Sequence, residues 1–143
     1  MENGDDYRRG RHAVSALCVH LVFVTKVRRG VLQEAHHAAL RAIFGAVCED
    51  FGARLVEAGG EDDHVHLVVA YPPPVSVSGL VNSLKGVSSR RLRTRYGAAL
   101  KTHRGHLWSP SYCAASAGGA SGAPLQLLQQ YVEAQRVVDA KTG

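Results

Sequence analysis

Four short runs of apolar residues along the chain have the length and pattern of β-strands. Residues 14–26 are apolar on both alternating faces, as in a strand at the centre of a sheet. Residues 53–58 and 64–71 flank a polar turn, GGEDD, at residues 59–63, and this arrangement predicts a hairpin. Residues 111–116 form a fourth, shorter strand candidate.

Helical spacing marks three other stretches. From Leu32 to Phe51 apolar residues recur every three or four positions, and Gly52 follows where a helix-ending glycine is expected. Residues 76–97 repeat the pattern, and residues 124–140 form the last helix after a flexible small-residue segment at 116–123. The predicted order β-α-β-β-α-β-α indicates an α+β fold with helices against an antiparallel sheet.

The length of 143 residues is typical of one domain. We assign residues 14–143 to this domain and residues 1–13 to a polar leader, which is too polar for a signal peptide. No apolar run is long enough to span a bilayer, so no membrane association is expected. Cys18, Cys48 and Cys113 are odd in number and lack a C-x-x-C spacing, which favours reduced thiols in a cytoplasmic protein.

Charge is distributed unevenly along the sequence. Ten of the twelve acidic residues lie within residues 1–63, and residues 64–132 contain none. The acid-free stretch is basic, which favours a polyanionic partner over a merely solvated helix. The basic side chains most suitable for a phosphate backbone, with one serine on the same helix stripe, are Lys26, Arg28, Arg29, Lys85, Ser89, Arg90 and Arg93. Trp108, the only tryptophan, can stack on an unpaired base or pack beneath its loop.

Two histidines enter the strand at residues 64–71. Because side chains alternate along a strand, His64 and His66 share one face while Val65 and Leu67 share the other. A lone histidine there is usually a hydrogen-bonded structural residue, and the H-x-H spacing alone does not decide. Two imidazoles can also hold a cation with open coordination positions, which could polarise a phosphoryl oxygen. His20, on the first strand, is interpreted as a hydrogen-bonded core residue.

The last predicted helix offers a nucleophile and a third ligand. Tyr131 and Gln135 are four residues apart and therefore share a helix face. A tyrosine here is most simply a half-buried packing residue. A free tyrosine has a pKa of about 10, so as a nucleophile it needs a nearby cation.

Several segments in this order resemble a known family. The sequences TKVRR (25–29), DDHVH (62–66), LKGVSSRRL (84–92), LWSPSYCAAS (107–116) and YVEAQ (131–135) are similar to those of single-tyrosine HUH transposases. These enzymes belong to small bacterial insertion sequences of the 200/605 type. The resemblance covers nearly the whole chain, although the turn before His64 is more acidic than usual, which leaves the roles of its acidic residues open.

The resemblance implies a ferredoxin-like or RRM-like fold, a homodimer, and cleavage and rejoining of single-stranded DNA at hairpin-bearing element ends. Position by position it implies Tyr131 as the nucleophile and His64, His66 and Gln135 as ligands of Mg²⁺ or Mn²⁺. The expected product is a 5′-phosphotyrosine. No nucleotide cofactor is expected, and the sequence contains no G-x-x-x-x-G-K-[ST] motif.

Two other functions compete with this interpretation. A domesticated, repeat-processing relative would use the same chemistry. A non-catalytic RRM-like nucleic-acid-binding module would explain the charge but not the histidines with Tyr131 and Gln135. A histidine-triad hydrolase is disfavoured, because Val68 stands where that pattern requires a third histidine.

Overall fold

The strands and helices follow one another along the chain in the order that the apolar pattern predicts. A computed structural model describes residues 17–116 and 129–134. The elements are β1 (Leu17–Val24), α1 (Glu34–Asp50), β2 (Arg54–Glu61), β3 (His64–Tyr71), α2 (Val77–Tyr96) and β4 (Cys113–Ser116). Short 3₁₀ turns at Lys26–Arg28 and Gly97–Ala99 follow β1 and α2.

The four strands form one antiparallel sheet in the order β2-β3-β1-β4. With the element order β-α-β-β-α-β, this is the ferredoxin-like arrangement that the resemblance implied. The two central strands, β1 and β3, carry the longest apolar runs, as expected for strands with a neighbour on each side. The predicted fold class is confirmed.

Both long helices pack on one face of the sheet, which we call the covered face. Alternate residues of β1 and β3 point into this core, among them Leu21, Phe23, Val65 and Leu67, all at most 2 % exposed. The intervening residues of the same strands point to the opposite, open face. His64 and His66 are among them, as the strand alternation predicted.

Each long helix begins and ends with recognisable capping residues. Gln33 and His36 cap α1 reciprocally, and the main-chain N–H of Gln33 donates to Nδ1 of His36 at 2.9 Å. Ser76 caps α2 by accepting a 3.1 Å hydrogen bond from the N–H of Gly79. Gly52 follows α1 with φ +69°, so it is the predicted helix-ending glycine.

The predicted turn at residues 59–63 is wrong in its extent. Residues 59–61 continue β2 and pair with β3, so only Asp62 and Asp63 turn the chain. Gly60 adopts φ +156°, and a Cβ there would lie 2.1 Å from the carbonyl oxygen of His64. The glycine therefore permits a close approach of two strands where sequence reasoning inferred a turn.

Other boundaries differ by a few residues or lie outside the description. Thr25 and Lys26 leave the first strand, and the fourth strand begins at Cys113 instead of residue 111. The polar leader at 1–13 lies outside the described residues, as does all of the 116–123 segment except Ser116. Of the predicted helix 124–140, residues 129–134 are described and are helical.

Candidate active site

The open face of the sheet carries a row of three histidines. His64 and His66 come from β3 and His20 from β1, which pairs with β3 in antiparallel register. The register sets His66 opposite Val22 and His64 opposite Val24. His20 is hydrogen-bonded, as interpreted, but it is not a core residue, because its position in β1 has the same parity as Val22 and points away from the helices.

His20 and His66 are hydrogen-bonded ring to ring. Nδ1 of His20 lies 2.9 Å from Nε2 of His66, the ring centroids are 5.1 Å apart, and the ring planes differ by 7°. The two nitrogens are closer together than the planes of stacked rings can be, so the two rings lie edge to edge. One nitrogen must donate and the other accept. Burial, and secondly the neighbouring His20, lower the pKa of His66, which favours the neutral imidazole that metal ions bind.

His64 is oriented by the residue before it. Nδ1 of His64 lies 2.9 Å from Oδ1 of Asp63, so this nitrogen donates to the carboxylate and Nε2 is left with its lone pair. Possible ligand atoms of Glu61, Asp63 and His64 all lie within 4.8 Å of one another. Imidazole nitrogen with carboxylate oxygen is a donor set suited to Mn²⁺ and similar divalent cations. Glu61, Asp63 and His64 therefore have donor atoms that suit a divalent cation, and His66 is not part of this group.

Tyr131 lies on the same open face as the histidines. Tyr131 and Val132 pack against Val22 and Val24, together with Cys113 of β4. The Tyr131 hydroxyl is 2.7 Å from Oγ of Ser111, just before β4. The hydroxyl is therefore on the β4 side of β1, whereas His64 and His66 are on the β3 side. Neighbouring strands are about 4.8 Å apart, so these two sides are separated by roughly 10 Å.

Gln135, the remaining predicted ligand, lies outside the described residues. The structure therefore places two of the three predicted ligands and the predicted nucleophile on one face of the sheet, on opposite sides of β1. Sequence reasoning missed His20 as a member of this face and left Asp63 without a role. Strand parity was the available signal for His20, since residues 18, 20, 22 and 24 share one face.

The predicted nucleic-acid contacts on α2 and in the loop that follows it line two separate cavities. Four of them, Lys85, Ser89, Arg93 and Trp108, line one cavity of about 260 Å³ between α2 and residues 105–110. Arg90 instead lines a second cavity of about 430 Å³ with Arg91, Arg95, Thr94 and Ile43.

Lys85 and Trp108 are partly committed to internal contacts. Nζ of Lys85 donates to the carbonyl oxygens of Ser109 at 2.7 Å and Ser111 at 3.1 Å, and burial lowers the pKa of this lysine. Trp108 is 7 % exposed and donates its indole N–H to Ser88 Oγ at 2.9 Å. The packing alternative for Trp108 is thus the one seen, and stacking on a base would require residues 105–110 to move.

The basic residues after β1 face different ways. Arg29 is exposed and Lys26 is half-buried, so both have access to solvent. The Arg28 side chain is 8 % exposed and turns inward to form an ion pair with Asp63.

In the described part of the chain, no helix is long and apolar enough to cross a membrane.

The ferredoxin-like sheet carries an H-x-H strand and has a tyrosine-bearing helix on its open face. The family model described as "Transposase IS200 like" matches residues 13–135, and the chain belongs to this family of transposases. It is 30 % identical to the ISDra2 transposase TnpA of Deinococcus radiodurans over 131 residues, which cover 91 % of each protein. It is 33 % identical to the transposase of insertion sequence IS200 from Salmonella typhimurium over 94 residues, or 65 % of this chain and 62 % of that protein.

Solved structures agree on the fold. A crystal structure described as a transposase of Deinococcus radiodurans R1 superposes with a TM-score of 0.75 and 31 % identity, covering 89 % of this chain and 96 % of that one. A REP-associated tyrosine transposase superposes with a TM-score of 0.55 and 15 % identity, covering 93 % and 72 % respectively. At that identity the second likeness shows the fold alone.

Proposed function

We propose that this transposase cleaves and rejoins single-stranded DNA at hairpin-bearing ends by transesterification, with Tyr131 as the nucleophile. The observation that carries the proposal is the common location of Tyr131 and the His64–His66 pair on the open face, on either side of β1. The REP-associated relative was solved bound to a REP hairpin, which supports a DNA hairpin as the partner here.

The chemistry exchanges one phosphodiester for another. The bond that forms joins Tyr131 Oη to phosphorus, and the bond that breaks joins phosphorus to the DNA 3′ oxygen. The phenolic proton is transferred, through solvent, to the departing 3′ oxygen. A 5′-phosphotyrosine results, and a 3′-hydroxyl of another strand reverses the step, so neither water nor a nucleotide triphosphate is consumed.

The metal ligands in this proposal are His64, His66 and Gln135, with Asp63 orienting His64. A bound Mg²⁺ or Mn²⁺ would stabilise charge on the non-bridging phosphoryl oxygens. The chain's own contribution is to orient the imidazoles, through the Asp63 carboxylate for His64 and through His20 for His66. The choice between the two ions rests on the family resemblance, and imidazole ligands favour Mn²⁺ of the two.

Tyr131 must move, or be replaced by that of a second subunit, before it can react. An attacking oxygen must come within about 3 to 3.5 Å of phosphorus, whereas the Tyr131 hydroxyl now bonds Ser111 on the far side of β1. We therefore infer a homodimer in which one subunit's Tyr131 serves the other's His64 and His66. The small apolar patch that holds the helix, centred on Val22 and Val24, is compatible with such an exchange.

The decisive experiment for the reaction is detection of a covalent protein–DNA adduct. A labelled single-stranded oligonucleotide with a hairpin is incubated with Mn²⁺, and the adduct is resolved on a denaturing gel. Wild-type protein and Tyr112→Phe, a change of the neighbouring tyrosine, should form the adduct, whereas Tyr131→Phe should form none. Adduct formation by Tyr131→Phe, or none by wild-type protein, would contradict the proposal.

Complementation tests the exchange between subunits. Tyr131→Phe and His64→Ala chains, each inactive alone, are co-expressed with different tags and the mixed dimer is purified. If sites are shared, each mixed dimer regains one intact site and cleaves. A mixed dimer as inactive as either parent would show that each subunit uses its own tyrosine.

The basic surface is expected to supply most of the DNA affinity. Affinity should fall steeply with salt, and a hairpin with a single-stranded flank should outcompete a blunt duplex. Arg93→Gln, in the cavity beside α2, should weaken hairpin binding and reduce the salt slope by about one. Arg41→Gln removes an exposed charge from α1 and serves as the matched control. Equal losses in the two variants would show that the cavity does not bind DNA.

A further inference from the structure

The Arg28 side chain lies between the two elements that carry the candidate catalytic residues. Its guanidinium forms an ion pair with Oδ2 of Asp63, and Nη1 donates a 3.1 Å hydrogen bond to the carbonyl oxygen of Val132. The other carboxylate oxygen of Asp63 accepts from His64 at 2.9 Å. A chain of contacts therefore runs from the residue after Tyr131 to the first histidine of β3.

The burial of Arg28 shows that its charge is used inside the protein. Its side chain is 8 % exposed and that of Asp63 14 %, whereas the adjacent Arg29 is exposed to solvent. A guanidinium presents five N–H donors in a planar fork, so it can serve a carboxylate and a carbonyl in two directions at once. A phosphate-binding arginine would instead be expected to project its fork to the surface.

The backbone turn that carries this side chain is bent. Val27 and Arg28 have φ values of +48° and +53°, a left-handed conformation that is rare for residues other than glycine, and rarest for β-branched ones. Such conformations persist only where their surroundings hold them. Here the Thr25 hydroxyl donates to the carbonyl oxygens of Arg29 at 2.8 Å and Asp63 at 3.1 Å. The bent turn and the ion pair are thus tied to the same aspartate.

We propose that Arg28 is a positioning residue, which docks the tyrosine helix on the open face and orients His64 through Asp63, and is not a phosphate contact. This assignment replaces the DNA-binding role that the sequence suggested for Arg28. Its catalytic consequence rests on the proposed function, because it requires Tyr131 to be the nucleophile. The docking itself does not.

Native cysteines provide a direct readout of docking. Cys113 packs with Tyr131 and Val132 over Val22 and Val24, so the docked helix covers part of its thiol. Cys18, at the opposite end of β1, is also half-buried and supplies an internal reference. Cys48 is 0 % exposed in the core and reports whether the domain remains folded. The full-length protein is alkylated and then digested, and mass spectrometry of the peptides measures the alkylation of each thiol.

Three substitutions separate positioning from charge. Arg28→Gln removes the ion pair, Arg28→Lys keeps the charge without the fork, and Arg29→Gln removes an adjacent exposed charge. In both Arg28 variants, alkylation of Cys113 relative to Cys18 should rise on the order of tenfold, because local undocking becomes frequent. Arg29→Gln should leave the ratio at the wild-type value. Asp63→Asn should raise the ratio of Cys113 to Cys18 alkylation as Arg28→Gln does. The double variant Arg28→Gln/Asp63→Asn should raise it little beyond either single variant.

In DNA-binding measurements on the same proteins, Arg29→Gln should have the larger effect and the Arg28 variants the smaller. Hairpin affinity and its salt slope should be unchanged in the Arg28 variants, while the rate of adduct formation through Tyr131 falls. Arg29→Gln should lower the salt slope by about one, and Arg41→Gln, which removes an exposed charge from α1, should leave the rate at saturating DNA unchanged. If wild-type protein forms no adduct, the proposed function fails, while the Cys113 result still decides the docking role.

Two outcomes would overturn the assignment. In the first, Arg28→Gln lowers the salt slope and leaves Cys113 protected, which is the behaviour of a phosphate contact. In the second, Arg28→Lys, Arg28→Gln and Asp63→Asn all expose Cys48 to alkylation, which would show that the ion pair stabilises the whole domain. Protection of Cys48 in at least one variant, with Cys113 exposed, supports positioning.

Discussion

The two faces of the sheet are built from alternate residues of the same strands and have opposite characters. On the covered face, Leu21, Phe23 and Leu67 are completely buried beneath α1 and α2. On the open face, His20, His64 and His66 are half-buried and bonded to other polar groups or to one another. Adjacent residues therefore differ in location: one packs in the core that holds the fold, and the next lies in the candidate site.

This difference shows how a small domain can support a polar site. A histidine row would be costly in the core, because each buried imidazole needs a hydrogen-bond partner. On the open face the strands supply rigidity while solvent and neighbouring side chains satisfy the ring nitrogens. A rigid sheet also holds ligands more accurately than a loop does.

The largest expected effect is loss of chemistry on the open face. His64→Ala, or excess EDTA with wild-type protein, should reduce adduct formation by at least about a thousandfold, since metal-centred catalysis is lost. The free energy of unfolding should change by less than about 1 kcal/mol, because the imidazole contributes no apolar core contact. Denaturant unfolding and adduct assays measure the two quantities. Full cleavage in excess EDTA would exclude a role for the metal.

A covered-face substitution should do the reverse. Leu67→Ala leaves a cavity beneath the helices and should lower the free energy of unfolding by about 2 to 5 kcal/mol. The molecules that remain folded should still form the adduct at low temperature, because His64 and His66 keep their strand positions. A well-folded Leu67→Ala protein without activity would show that the two faces are coupled more closely than their alternation suggests.

A smaller effect is expected from the partner of His66. A ligating imidazole must keep one lone pair, so His66 should donate through Nε2 to Nδ1 of His20 and bind the cation through Nδ1. His20→Leu removes this acceptor and should weaken Mn²⁺ binding by roughly 10- to 100-fold. His20→Asn places an amide oxygen near the same position and should retain most of the affinity.

Calorimetric titration with Mn²⁺ measures the affinity, and nitrogen chemical shifts of the histidines report the tautomer of His66. Equal Mn²⁺ affinity in wild type and His20→Leu would show that His20 does not contribute to metal binding.

The last expected effect concerns pH and the covered face. Burial raises the pKa of Cys48 from 9.0 to about 11, so the folded protein holds the thiol proton more tightly than the unfolded chain. The stabilisation from this group is complete below pH 9 and is lost as pH rises towards 11, by up to about 2 to 3 kcal/mol. The difference in unfolding free energy between wild type and Cys48→Ala should shrink over that interval. A difference in unfolding free energy that is independent of pH would contradict a raised pKa for Cys48.

The predictions from sequence succeeded where one periodicity dominated a segment. Strand parity separated His64 and His66 from Val65 and Leu67, and helical spacing located α1 and α2 to within a few residues. The extent of the hairpin was misjudged because glycine is typical both of turns and of close strand approach, and the approach of β2 to His64 decides between them. Arg28 was placed among the phosphate contacts because sequence shows charge but not direction.

The sequence by itself determined the fold class, the family and the face on which the histidine pair lies, because these follow from periodicity and from motifs whose meaning is local. Only the tertiary structure decided that His20 joins His66, that Asp63 orients His64, and that Arg28 faces inward to Val132. Each of these contacts joins residues through strand register or a bent turn. Register and turn geometry depend on how the whole sheet packs against its helices, which no short segment specifies alone.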